Sequence, residues 1–245
     1  MPLIQSSQVS SAEGSVNIAI DDASRAIWTR CGVFCLAGAV GFFALWQLTI
    51  EIMRQPAPYF PTAPVNGSAK AAQYAGYVAS IGWIRGDLWF DAASLLWSAK
   101  EEKAAGPPQA TLTAARGAVI RAAELAPHDA RSWLLLAKIN KELELGSHRV
   151  AEALRMSYFT GPDDPALIPS RLAIAVQLPN IEDPDFRILV EGDVRSALRA
   201  ANLRNAVIAA YRVASAPGKR FLEASVGDLD RSLANEMQPK PGIKR

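Results

Sequence analysis

The chain has 245 residues, half of them hydrophobic, with 26 Lys and Arg against 24 Asp and Glu and a formal net charge of +2. So even a balance, with no basic stripe interleaved with aromatics, leaves nucleic acid out of the reading. The only cysteines are Cys31 and Cys35, which excludes a disulfide framework or thiol chemistry in the rest of the chain.

In chain order, residues 1–30 form an N-terminal tail. Its first twenty positions mix Gln, Ser, Asn and Gly with a few aliphatics and predict disorder. Asp21 or Asp22 is placed to cap a short lead-in through Ala23, Ala26, Ile27 and Trp28. Residues 31–50, CGVFCLAGAVGFFALWQLTI, contain no charge. At about 1.5 Å per residue they span the roughly 30 Å hydrocarbon core of a bilayer. Trp28 and Trp46 bracket this segment as interfacial aromatics do. Cys31 and Cys35 lie one helical turn apart with no His or acid near them in sequence, so they read as small apolar residues and not as metal ligands. Ala37 and Gly41, with Gly38 beside them, offer a small-residue face for close helix packing, and self-association of the span is one use of it.

A cleaved signal peptide is the competing reading of this region. A tail of 30 residues and an apolar run of 20 favour an uncleaved anchor. Arg25 and Arg30 precede the run, whereas Arg54 follows it with no further base until Lys70, so the N-terminus is expected in the cytoplasm. Residues 51–68 carry Pro56, Pro58, Pro61 and Pro64, too closely spaced for a helix, and predict an extended tether. Asn66-Gly67-Ser68 fits a glycosylation acceptor, which matters only in a eukaryotic lumen.

From residue 69 to 238 the pattern is Ala- and Leu-rich, broken by Gly and Pro. Helices are expected at 69–85, 88–103, 109–125, 130–145, 148–159, 166–177, 184–199, 204–215 and 219–236, with no strand left over. Asp183 before Pro184 is a helix start, and Gly146 suits an interhelical turn. Residues 239–245 are a disordered C-terminal tail.

Ala115, Val119 and Ala122 share a helix face ahead of Pro127, Trp133 and Leu136 open the next run, and Ala151, Leu154 and Pro162 close it. The stretch RAAELAPHDARSWLLLAKINKELELGSHRVAEALRMSYFTGPDDPAL resembles a tetratricopeptide repeat over about one and a half repeats. Ala137 stands where that family has Gly, and Asn140 stands near its Tyr position. With the apolar span read as a transmembrane helix, the fold expected is all-α, one transmembrane helix followed by a TPR-like solenoid or helical bundle; the resemblance implies a surface presented to protein partners, and no cofactor is expected.

Trp83, Arg85, Trp89, Phe90 and Trp97 form the candidate partner surface, with packing of the first helix pair as the alternative use of the rings. Arg85 and Asp87 are spaced for an ion pair or a cap. Tyr158 and Phe159 are expected in the core. His128 and His148 sit at helix boundaries without metal-ligand spacing. Acidic pairs such as Asp163 with Asp164, Glu182 with Asp183 and Glu191 with Asp193 are candidates for acid-base work; the first two are placed to cap helices. No P-loop, Rossmann, HExxH or nucleophile-elbow motif occurs.

These features together describe a non-enzymatic, single-pass protein of a bacterial inner membrane. A periplasmic helical domain would scaffold or assemble an envelope complex, with polysaccharide synthesis or export as one setting. A structural subunit contacting its complex through the transmembrane helix, and an envelope hydrolase or transferase using the acidic pairs, are the alternatives.

Overall fold

The computed structural model describes residues 9–54, 68–100, 107–162 and 164–229. Most of the Pro-rich tether, Asp163 and the C-terminal tail lie outside them. The described residues hold ten α-helices, one 3-10 helix and no strand. They fall into two compact units, residues 1–53 and 54–245.

The first unit carries one helix, α1 (Val9–Met53). It begins well before Asp21, which corrects the expected disorder over part of the tail. Val9, Ala12, Val16, Ile20, Ala23 and Ile27 already recur every three or four positions, and no proline occurs between Val9 and Met53, so nothing in the sequence stops the helix. Within it, Trp28–Met53 is long and apolar enough to cross a membrane, and only 6% of its most apolar window is buried by the chain itself. Thr49 returns its hydroxyl to the Leu45 carbonyl at 2.8 Å, so this polar group is satisfied inside the helix.

The second unit contains the other nine. They are α2 (Ala69–Ile81), α3 (Gly86–Ala99), α4 (Pro108–Leu125), α5 (Ala130–Glu142), α6 (Ser147–Thr160), α7 (Ile168–Ala175), α8 (Pro184–Arg199), α9 (Arg204–Val213) and α10 (Ala216–Leu229), with the 3-10 turn Pro179–Glu182 before α8. Local chemistry sets their ends. The Ser68 hydroxyl accepts the Ala71 N–H at 3.1 Å, and Asp129 accepts the Arg131 N–H at 3.2 Å and the Ser132 hydroxyl at 3.0 Å. Asp183 caps α8 by accepting from Asp185 N at 3.0 Å, with Pro184 following as expected. Gly146 has φ 89°, a left-handed conformation that turns the chain into α6.

Two predicted ends move for visible reasons. Gly82 stops α2 four residues short of Arg85 and allows the turn that precedes α3. The last helix starts at Ala216 and not at Lys219, because Ser215 accepts the Gly218 N–H at 3.2 Å and acts as its cap.

From α2 to α6 each helix packs on its neighbours in sequence, whereas α7 packs on α9 as well as on α8. The later helices therefore form a small bundle and not a strictly nearest-neighbour stack. Small residues let the early helices approach closely: Ala93, Ala115, Ala122 and Ala137 have no exposed surface. A side chain on Gly86 would meet the Ala122 carbonyl and Ala126 Cβ at 3.0 Å, which marks the α3–α4 contact. Leu134, Leu135, Ile139, Leu154, Leu172, Phe186 and Leu222 fill the centre. Each such side chain contributes roughly 1.5–3 kcal/mol by leaving water. Tyr158 joins this core, but Phe159, expected there too, is 67% exposed because it lies about 100° around the helix from its neighbour.

Candidate partner-binding groove

The aromatic segment divides into three environments. Phe90 is 4% exposed and lies under the Arg131 guanidinium, whose central carbon is 4.9 Å from the ring centroid. It is core, and it leaves the candidate surface. Trp89 is half-buried and packs against the same core. Trp83 is 59% exposed on the turn after α2, followed by Ile84 at 45%.

Arg85 does make the local pair that its spacing suggested. It donates to both oxygens of Asp87, at 3.1 and 2.6 Å, and so is committed within the fold. Arg54 reaches the same turn, with contacts of 3.1 Å to Asp87 and 2.7 Å to Asp91. Burial alone would raise the Asp87 carboxyl, but the Arg85 hydrogen bonds and the two arginine charges outweigh it and leave Asp87 below the usual carboxylate range. Asp91 sits deeper, and there burial wins over the pull of Arg54 and pushes the group up.

Trp97 is the residue that reaches a concave surface. With α5 and α7 it lines a groove of about 310 Å³, alongside Lys138, Lys141, Ser170 and Ile174. The Lys100 ammonium lies 4.0 Å from the Trp97 ring centroid and pairs with Glu142. Lys141 donates to Gln177, in the turn that follows α7. Burial pulls the Lys138 ammonium down, with Lys100's charge adding to the effect and Glu142 opposing it. Lys141 is lowered by burial too, with Glu142 opposing. Three ammonium groups thus surround one carboxylate beside an indole face, an arrangement suited to an acidic segment with an apolar anchor.

The acidic candidates are mostly engaged in structural roles. Asp164 accepts the Ala166 N–H at 3.0 Å, Asp183 caps α8 and pairs with Arg155, Glu182 lies 3.4 Å from Arg220, and Glu191 pairs with Arg187 at 3.0 Å. His148 is exposed and 3.4 Å from Glu152, and His128 is exposed. Among the described residues no three His, Cys, Asp or Glu side chains converge as metal ligands. On α1, an added Cβ at Gly38 or Gly41 would meet nothing within 4 Å, so the small-residue face with Ala37 is open.

Asp193 is the exception. It is 2% exposed on α8, facing Arg171 of α7 and Tyr158 of α6. Arg171, with no exposed surface, donates through Nε to the Ser157 hydroxyl at 3.0 Å and through Nη2 to the Ser157 carbonyl. Ser157 in turn donates to the Ala130 carbonyl at 2.9 Å. Burial pushes the Asp193 carboxyl up to about 7 against the opposing pull of Arg171 and Tyr158. The sequence carried a signal for this group: Asp193 falls on the apolar face made by Phe186, Val190 and Ala197, and Arg171 falls on that of Ile168 and Ala175.

Comparison with protein-family models, with curated proteins and with solved structures returned no match.

Proposed function

We propose that the chain is a membrane-anchored, non-enzymatic scaffold or assembly factor, whose TPR-like helical domain holds an acidic segment of a partner protein in the Trp97 groove. The observation that carries this reading is the convergence of Trp97 of α3 with Lys138 and Lys141 of α5 on one concave surface roofed by α7, with the Lys100 ammonium over the Trp97 ring. An indole supplies apolar contact area at low conformational cost, and clustered lysines supply the charge that selects an acidic partner. The long exposed apolar helix supports confinement to a membrane. In this reading that membrane is a bacterial inner membrane, with the N-terminus cytoplasmic and the helical domain periplasmic, where it serves an envelope complex such as polysaccharide synthesis or export machinery.

A second reading makes the chain a structural subunit held through its transmembrane helix, and the open face at Ala37, Gly38 and Gly41 favours it as an additional contact, to another subunit or a second copy. The two separate on substitution. Lys138→Glu with Lys141→Glu should release the partner in pull-downs of the full chain while helicity and membrane insertion persist. Release by Gly41→Leu alone, with the lysine variant still bound, would transfer the role to the span. A reporter active only outside the cytoplasm, fused after Arg245, should be active; inactivity with stable expression reverses the orientation.

A further inference from the structure

A second concavity, of about 340 Å³, lies between α6 and α8, away from the residues of the Trp97 groove. Its lining includes Tyr158, Asp193, Arg195 and Arg199 among polar residues and Pro162 and Ile188 among apolar ones. The volume falls in the range of about 300–1,000 Å³ found for small-ligand clefts.

The polar wall sets two exposed guanidinium groups beside the buried Tyr158 and Asp193. Tyr158, 3% exposed, faces the buried Asp193 carboxyl at the inner end of the cleft, and Nη1 of Arg171 behind them has no hydrogen-bond partner. Arg195 and Arg199 are one turn apart on α8 and exposed, and neither has an ion-pair partner among the described residues. Two exposed guanidinium groups on one face of α8, both lining the concavity, are complementary to an oxyanion. A planar carboxylate matches the guanidinium fork. Ile188, 65% exposed and two turns before Arg195 on the same face of α8, offers apolar surface that a bare inorganic anion would leave unused.

We infer that this cleft binds a carboxylate carried beside an aliphatic side chain, the chemistry of a peptide C-terminus, with Arg195 and Arg199 holding the carboxylate and Ile188 and Pro162 receiving the side chain. The site is independent of the Trp97 groove and gives the chain a second, differently specified hold on a partner polypeptide. Asp193 tunes it. The charged and titratable groups facing that carboxyl are Tyr158 from α6 and Arg171 from α7, and Arg195 and Arg199 of α8 share the cleft lining with it. When Asp193 takes up a proton, a negative charge leaves the wall while the ligand carboxylate, with an ordinary value near 3.5, stays ionised. Binding therefore strengthens as pH falls through about 7.

The test is calorimetric titration of the full chain in nanodiscs with acetyl-Gly-Leu, its C-terminal amide, and inorganic phosphate. The free acid should bind saturably, and the amide should bind at least about tenfold more weakly. Arg195→Gln with Arg199→Gln, both exposed and therefore without effect on the circular-dichroism melt, should lose about tenfold for the acid. Asp193→Asn should keep binding and abolish its pH dependence. Equal affinity for acid and amide, phosphate binding as tight as the peptide, or no saturable binding by the wild type would each overturn the assignment.

Discussion

Replacing Asp193 by Asn should make the protein more stable at pH 8, and less so at pH 5. The carboxyl is raised from 3.8 to about 7, so between those values the folded state holds a proton that the unfolded chain has released. Stability from this group is complete below 3.8, falls as pH rises, and is gone above about 7. A shift of roughly three units is worth about 4 kcal/mol, at about 1.36 kcal/mol per unit, and Asp193 is too buried for solvent to screen much of it. Asn resembles the protonated form, so the variant keeps what the wild type loses on ionisation, less the cost of bonding its own amide. A gain on the order of 2–4 kcal/mol at pH 8 is expected. Urea unfolding of the full chain in micelles, followed by far-ultraviolet circular dichroism at the two pH values, measures it. A variant less stable than wild type by the same amount at both would show that Asp193 is held ionised by Arg171 and that the burial argument is wrong.

Other substitutions probe the packing. Gly218→Ala would place a Cβ 1.9 Å from the Val176 carbonyl oxygen, the same oxygen that accepts the Ser215 N–H at 3.0 Å and hydroxyl at 2.9 Å. The end of α10 must shift, and a loss of about 2–4 kcal/mol in the same denaturation assay is expected. Phe90→Ala should cost about 3–5 kcal/mol as a core cavity, while Trp83→Ala stays within about 0.5 kcal/mol. Equal losses at the two positions would contradict the division of the aromatic segment. Ser157→Ala removes both the bond to Ala130 and an acceptor of buried Arg171, for about 2 kcal/mol; a neutral result would show that the Arg171 group is not coupled to α5.

The helix order was largely legible because Ala- and Leu-rich periodicity, Asp and Ser caps and the Pro and Gly breaks all act locally. Asp183 with Pro184, the Gly146 turn and the shared burial of Ala115, Val119 and Ala122 follow from nearest-neighbour rules. What depended on distant partners was harder to see. Trp83, Trp89, Phe90 and Trp97 are close in sequence, but Gly82 breaks the helix between the first and the rest, and the α3 face sorts the others by depth. The lysines of the Trp97 groove come from another helix, and no local pattern joins them to the indole. Arg171 and Asp193 were visible only as charges on apolar faces, and their meeting requires the packing of α7 and α8. The long reach of α1 toward Val9 was also present as spacing, beneath a polar composition that suggested disorder.

The central claim is that the Trp97 groove is where a partner protein is held. Its most direct test is a photoreactive residue placed at Ser170 in the groove, with the same residue at the exposed Phe159 as control, activated in intact cells. A discrete crosslinked product from position 170, absent at 159 and lost on Lys138→Glu with Lys141→Glu, is predicted. No product at 170, or the same product from both positions regardless of the lysines, would contradict the account.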